Sequence, residues 1–281
     1  MAETSELGGA ATVEPPNSKP HLIVYSLDQE HSTYSMSMFL TKLHLRLRHA
    51  GIPYQNALGS RYAAPKKKIP YVQFTETGEV MGDSALIVEK LIKEGKLEDL
   101  NGGLSPEQKA VDYCLRVMIE DRVYYLVNYE RWYGNYYAMR DKLFGHLPNG
   151  AQHVMGLLTF QFVKMMLYFQ GTGRHNAEEV RHFTEEAVAA IAGFAESAYE
   201  RVGKNGSGPF WILGGEKPTE ADFTVFGALS GYLVNGDVQP VTSSMVRSHP
   251  ALVDYIERIH GAYFADYSHL PCNVASWPSN I

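Results

Sequence analysis

Cysteine is nearly absent: the 281 residues hold two, Cys114 and Cys272. Two are too few for a disulfide framework and neither sits in a metal-ligand spacing, so a reduced, cytoplasmic setting is expected and no metal site is. Long apolar runs are also missing. No stretch approaches the roughly 18 apolar residues that a membrane helix needs. Residues 1–20 are small, acidic and proline-bearing, with no apolar core to act as a secretory signal, and read as a disordered leader. Positive charge is not in excess: Lys and Arg number 25 against 31 Asp and Glu, a formal net charge of −6. That argues against a nucleic-acid surface, which would need a concentrated basic face. What remains is 45% apolar and 20% charged, enough for a sizeable core in one large or two modest domains.

The first hundred residues alternate strand and helix signals. His21–Leu27 is a β-type run, and Met38, Phe39, Leu40, Leu43, Leu47 and Ala50 recur with helical spacing. Gly51 stops that helix and Pro53 enforces the break. Strands are expected at Tyr54–Leu58, Ile69–Phe74 and Glu79–Met81, then a helix over Ser84–Glu94 stopped by Gly95. This β-α-β-β-β-α order predicts an α/β, thioredoxin-like domain over residues 21–97, joined by a linker, 98–105, to an all-helical domain over 106–266 and a tail, 267–281. The second domain opens with Ser105-Pro106-Glu107, an N-cap with proline in the first turn, and its first helix is expected to run to about Tyr133. Further helices are expected over Gln152–Tyr168, Ala177–Val202, Thr219–Val234 and Pro250–Phe264. Thr219-Glu220-Ala221-Asp222 forms a capping box, with Trp211–Gly215 as a strand-like lead-in.

Two segments carry the chemistry. In Lys68-Ile69-Pro70-Tyr71-Val72, a proline stands where a turn enters a strand. X–Pro bonds tolerate cis far better than others, and such a proline turns the Ile69 backbone outward, where it can pair with an extended ligand. In Asp83-Ser84-Ala85-Leu86, a helix begins, and its free N–H groups favour a carboxylate. The Ser84 hydroxyl adds a donor, Asp83 can take an ammonium, and Lys67 or Lys68 (Lys66 less so) can hold a second carboxylate. Together they describe a socket for a short zwitterionic peptide.

These segments resemble the glutathione site of the glutathione transferase superfamily. The lead-in and capping box resemble a helix of its C-terminal domain. Gly171-Thr172-Gly173-Arg174-His175 followed by Glu178-Glu179-Val180, and Ser37-Met38-Phe39-Leu40-Thr41-Lys42-Leu43, resemble the failed-axon-connections/metaxin-related branch. This chain has Met38 and Leu40 where that branch has proline and cysteine. The resemblance implies glutathione as cosubstrate, a hydrophobic electrophile as second substrate and a homodimer. The reaction it implies is conjugation, or reversible addition giving cis–trans isomerisation; the alternative is a non-catalytic binding or scaffold protein.

Glutathione chemistry needs a thiolate, and a free thiol titrates near 8.5. A hydroxyl at a helix N-terminus lowers that value; Ser37 stands at such a place, with Ser35 and Tyr34 as alternatives. No cysteine lies in that loop, which argues against thioredoxin-type redox work, and Cys114 reads as a core thiol. The second substrate is expected over the long helix, near Tyr113 and Arg116, one turn apart, and Glu120 and Tyr124. Tyr125, Tyr129, Trp132, Tyr133, Tyr136 and Tyr137 crowd the same region and suggest a wide amphipathic pocket.

Overall fold

The computed structural model describes residues 20–27, 32–202 and 206–267. Residues 1–19 of the expected leader and 268–281 of the expected tail, with Cys272, lie outside them.

Four strands form one sheet: β1 (Leu22–Ser26), β2 (Tyr54–Leu58), β3 (Tyr71–Phe74) and β4 (Val80–Gly82), in the order β2-β1-β3-β4. β1 and β2 are parallel and are joined by helix α1 (Met38–His49), a crossover connection; β3 is antiparallel to both β1 and β4. Leu22 and Val24 alternate to one face of β1. They meet Leu40, Leu43 and Leu47 of α1, Val72 and Phe74 of β3, and Ile87, Val88 and Leu91 of α2 (Ser84–Lys93), so both helices share one core against the sheet. This small mixed sheet is the thioredoxin-like unit that the pattern predicts.

Everything described after Pro106 is helical or turn. Ser105 caps α3 (Pro106–Val117) in a reciprocal box with Gln108. The long helix expected to reach Tyr133 is present, with two π-helical stretches, Met118–Val123 and Glu130–Gly134, flanking α4 (Tyr124–Tyr129). α5 (Tyr136–Phe144), α6 (Asn149–Gln170), α7 (Ala177–Val202), α8 (Glu220–Val234), α9 (Pro240–Arg247) and α10 (Pro250–Tyr263) follow. Two of these, α5 and α9, were absent from the sequence expectation. The Trp211–Gly215 lead-in is a turn instead of a strand: it has no strand to pair with among the described residues, and the Ile212 N–H donates to Asp222 Oδ1 at 2.6 Å.

The two halves meet through α1 and α8. Ala221–Leu233 of α8 is buried all round, as an apolar helix at the centre of a bundle must be. Gly227 permits the approach: a Cβ there would stand 2.6 Å from the Met38 carbonyl oxygen and 2.9 Å from the Lys42 nitrogen. α1 therefore shows one face to the sheet and another to the helical domain, and its entrance is fixed from both sides.

Candidate functional site

Strand register gathers the two sequence-predicted segments. Tyr25 faces Tyr71 across β1–β3, and Tyr71 faces Gly82 across β3–β4. The end of β1, the start of β3 and the end of β4 therefore lie together. Ile69–Pro70 enters β3 there, and Asp83–Ser84 leaves β4 there to open α2. The Ile69–Pro70 bond is cis, and Ile69 lies outside the ladder, with no backbone hydrogen bond among the described residues.

Backbone conformation is unusual at just these places. Lys66 (φ 59°), Lys67 (φ 56°) and Asp83 (φ 84°) are the non-glycine residues with positive φ among the described residues. Each such residue costs on the order of 1–3 kcal/mol, a cost that concentrates at ligand sites. The lysine turn, Pro65–Lys67, is pressed onto the end of β4. A Cβ at Gly82 would stand 2.9 Å from the Pro65 carbonyl oxygen, so only glycine fits. Lys66, Lys67 and Lys68 are exposed, and Lys67 Nζ donates to the Tyr62 carbonyl at 3.2 Å. Asp83 is the N-cap of α2: its Oδ1 accepts from the Ala85 and Leu86 N–H groups, leaving Oδ2 outside those bonds. Ser84 is buried at the first position of the helix, and no hydrogen bond engages its hydroxyl among the described residues.

The three candidate hydroxyls before α1 occupy different places. Tyr34 is buried in the interdomain core against Phe226, Phe264 and Tyr267, with its hydroxyl 2.9 Å from His260 Nδ1; it faces inward, away from the helix entrance. Ser35 is buried too, and its Oγ accepts from the Ser37 N–H at 2.9 Å, shaping the turn. Ser37 is the N-cap of α1 by backbone geometry, yet its side chain makes no capping bond and no other hydrogen bond among the described residues. An uncommitted hydroxyl at a helix N-terminus is the group that can donate to an anion.

The loop is held from behind. Arg131, buried in the second π-helical stretch, donates from Nε to Gln239 Oε1 at 2.5 Å and from Nη1 to the Met36 carbonyl at 3.4 Å. Lys42 Nζ lies 2.6 Å from Glu120 Oε1, and Arg46 Nε donates to Glu220 Oε1 at 2.8 Å. Sequence reading missed these cross-links. Their signal was the placing of Lys42 and Arg46 one turn apart inside an apolar helix, where a charge requires a buried partner.

The residues expected around a second substrate are partly dispersed. Tyr113 and Arg116 do come together, with the guanidinium 5.8 Å from the ring centre, but Tyr113 is 59% exposed and Arg116 is anchored to Asp112 at 2.8 Å. Glu120 is engaged by Lys42 and by the Thr224 hydroxyl. Tyr124 stands nearest the α1 entrance, its ring 5.5 Å from that of Phe39. Tyr125, Tyr129, Tyr133 and Tyr136 pack with Trp132, Met139, Val163 and Leu167 into a core of their own beneath α6. An enclosed void of about 10 Å³ lies between Met36, Tyr124, Arg131 and Tyr232, room for at most one water. A larger cleft of about 580 Å³, between Gly206–Pro209 and Asp254–Ala262, shares none of the site residues. Cys114 is exposed on α3, not in the core: it lies about 100° round the helix from its buried neighbour Leu115.

A family model described as the glutathione S-transferase N-terminal domain matches residues 38–139. Failed axon connections of Drosophila melanogaster is 26% identical over 273 residues, covering 90% of this chain, which spans 60% of that protein's length. Isoprene-epoxide–glutathione S-transferase of Rhodococcus sp. (strain AD45) is 27% identical over 240 residues, covering 81% of this chain and 93% of that one. The fold matches a crystal structure of a glutathione S-transferase from Methylobacterium radiotolerans in complex with glutathione sulfonate. That match has a TM-score of 0.52 and 14% identity, covering 88% of this chain and 96% of that one. Residues 38–139 thus match the N-terminal domain of glutathione S-transferases, and the chain as a whole is similar to Failed axon connections and to a glutathione S-transferase and shares the fold of another.

Proposed function

We propose that the protein binds glutathione at the sheet end formed by Ile69, Pro70, Asp83 and Ser84 and uses it as a nucleophile toward a hydrophobic electrophile. The observation that carries this reading is the pair of uncommitted hydroxyls, Ser37 and Ser84, each at the N-terminus of a helix. A purely structural serine at the N-cap, where Ser37 stands, would cap its own helix, and Ser37 does not; in α2 Asp83 is the cap, and the Ser84 hydroxyl beside it makes no hydrogen bond among the described residues. Ser84, with the first N–H groups of α2, would receive one carboxylate. The free Ile69 backbone would pair with the peptide, Asp83 Oδ2 would take its ammonium, and Lys67 or Lys68 would take the second carboxylate. Gly82 fits the same reading, since it lets the lysine turn close over this point.

Ser37 would donate to the sulfur and favour its anionic form. The sulfur's electron pair then forms a C–S bond at the electrophilic carbon. A leaving group departs with its bonding pair, or a strained ring opens and its oxygen takes a proton from water. Cis–trans isomerisation would need the same parts: addition, rotation and elimination. Two similar proteins, one named for an isoprene epoxide and one solved with glutathione sulfonate, support the glutathione half of this reading. The lack of any long apolar helix that could cross a membrane among the described residues is in keeping with a cytoplasmic setting.

A second reading, a non-catalytic binding or scaffold protein, is favoured by the close packing beside Tyr124, which leaves a void of only about 10 Å³. The pH–rate profile with glutathione and an epoxide or aryl halide separates the two. On the catalytic reading Ser37→Ala moves the acid limb upward by about one pH unit and cuts the neutral-pH rate about tenfold, while Ser35→Ala and Tyr34→Phe leave the limb in place. No turnover by the wild type with bound glutathione would establish the second reading.

A further inference from the structure

The lysine and arginine side chains buried among the described residues are Lys42, Arg46 and Arg131. Lys42 meets the Glu120 carboxylate and Arg46 that of Glu220. Arg131 meets no carboxylate among the described residues. A guanidinium carries five N–H donors, and the two engaged here go to the Gln239 amide oxygen and the Met36 carbonyl, both neutral. Burial pushes the pKa of Arg131 down, but a guanidinium keeps its proton in proteins. A full positive charge therefore sits inside the molecule without a counter-ion in contact, an arrangement that cores avoid and functional sites employ.

The acidic groups facing Arg131 are committed elsewhere. Glu130, its neighbour in the second π-helical stretch, accepts from the Val241 and Thr242 N–H groups and from the Thr242 hydroxyl. Asp237, in the turn between α8 and α9, is held by Lys142 at 2.8 Å. Tyr232 of α8 and Tyr124 of α4 line the same small void as Arg131, and burial pushes the Tyr232 hydroxyl up, so that it offers no anion.

The charge lies directly behind the entrance to α1. Met36, whose carbonyl accepts from Arg131 Nη1 at 3.4 Å, immediately precedes Ser37. That bond and one residue of chain separate the guanidinium from the Ser37 hydroxyl, a span of at most about 9 Å. At such a distance and an effective dielectric of about 20, a unit charge shifts the pKa of an anion by about one unit. Other cations are poorer sources of this field. Lys66, Lys67 and Lys68 are exposed, where salt and water screen them, and Lys42 of α1 is neutralised by Glu120. We infer that Arg131 is a positioning residue of the candidate site, whose unpaired charge favours the anionic form of a sulfur held beside Ser37. That the sulfur is glutathione's rests on the function proposed above; the field itself does not.

The test therefore needs no glutathione. Ser37→Cys in a Cys114→Ser/Cys272→Ser background sets one thiol at the α1 entrance, and the pH dependence of its alkylation by iodoacetamide, followed on the intact chain by mass spectrometry, gives its pKa. A value below the ordinary 8.5 is expected. Adding Arg131→Met should raise it by about one unit, whereas Arg131→Lys, which keeps the charge and loses the fork, should leave it within a few tenths. Gln239→Glu, which sets a carboxylate against Arg131 Nε, should also raise it, and decides the matter should Arg131→Met fail to fold. An unchanged pKa in the charge-cancelling variant that folds would overturn the inference. So would an equal rise in Arg131→Lys and Arg131→Met, which would make Arg131 a brace for the Met36 carbonyl and no more. The expected shifts in a protein whose wild type binds no glutathione would support the role of Arg131 and defeat the glutathione reading, so the two failures are distinct.

Discussion

The Lys42 ammonium and the Glu120 carboxylate, 2.6 Å apart, join the first helix of the sheet domain to the long helix of the second, with the Lys42 side chain only 4% exposed. The same carboxylate oxygen accepts from Thr224 of α8 at 3.2 Å, so three helices share one charge.

Removing one partner of a buried pair strands the other without compensation, whereas replacing both with apolar groups is often neutral. Glu120→Ala is therefore expected to lower unfolding stability by about 3 kcal/mol. The double variant Lys42→Met/Glu120→Leu should stay within about 1 kcal/mol of wild type. Denaturant titrations of the three proteins check this. Equal losses in single and double variants would mean the pair contributes packing, not charge.

Gly227→Ala tests the approach of α8 to α1. The added methyl would meet backbone atoms of Met38 and Lys42 at 2.6 and 2.9 Å, atoms that cannot rotate away. A loss of about 1–3 kcal/mol is expected, although alanine is the better helix former. A thermal melt at or above wild type would show that the two helices can separate freely.

Tyr232 and Tyr255 form a controlled pair. Both are buried, but the Tyr232 hydroxyl has no partner among the described residues, whereas that of Tyr255 donates to Asp222 Oδ1 at 3.0 Å. Tyr232→Phe should leave stability unchanged or raise it by up to about 1 kcal/mol, and Tyr255→Phe should lower it by about 1–3 kcal/mol. A clear loss in Tyr232→Phe would indicate a water bridging that hydroxyl to Arg131 across the adjoining void.

His49 sets a pH dependence. Its ring packs edge-on to Trp211 and Phe223, and burial, then the Arg46 charge, pushes its pKa down to about 4. Between its ordinary 6.5 and 4 the unfolded chain takes up a proton that the folded one refuses, so this group's contribution is present above pH 6.5 and lost as pH falls toward 4. Asp222 works in the opposite sense: burial pushes it up to about 6, so its contribution is lost as pH rises through 6. Both wild type and His49→Gln carry Asp222. The difference between their urea midpoints at pH 7 and pH 4.5 therefore isolates His49, and the variant should lose less stability on acidification. An identical loss would remove His49 from the account.

The geometry of one half of the candidate site was legible in the sequence because local rules govern it. A proline at a strand entrance, a serine at a helix start and a lysine turn follow from short-range sterics and capping, and strand pairing brings the first two together. The second-substrate region was harder to read because tyrosines at helical spacing look alike whether they line a pocket or pack a core. Only the position of α6 shows that Tyr129, Tyr133 and Tyr136 are packed. Likewise α5, whose Tyr136–Phe144 sequence lacks an apolar period, is helical because Met139 joins that core. The three hydroxyls before α1 could not be separated by spacing; the partners of Tyr34 and Ser35 come from His260, 226 residues away, and from a local turn.

Calorimetric titration of the wild type and of Ser84→Ala with reduced glutathione tests the central claim most directly. The account predicts one site per chain in the wild type. Removing a donor to a charged carboxylate costs about 1.5–3 kcal/mol, so Ser84→Ala should weaken binding by about ten- to a hundredfold at unchanged thermal stability. No binding by the wild type at millimolar glutathione, or the same affinity in both proteins, would contradict it.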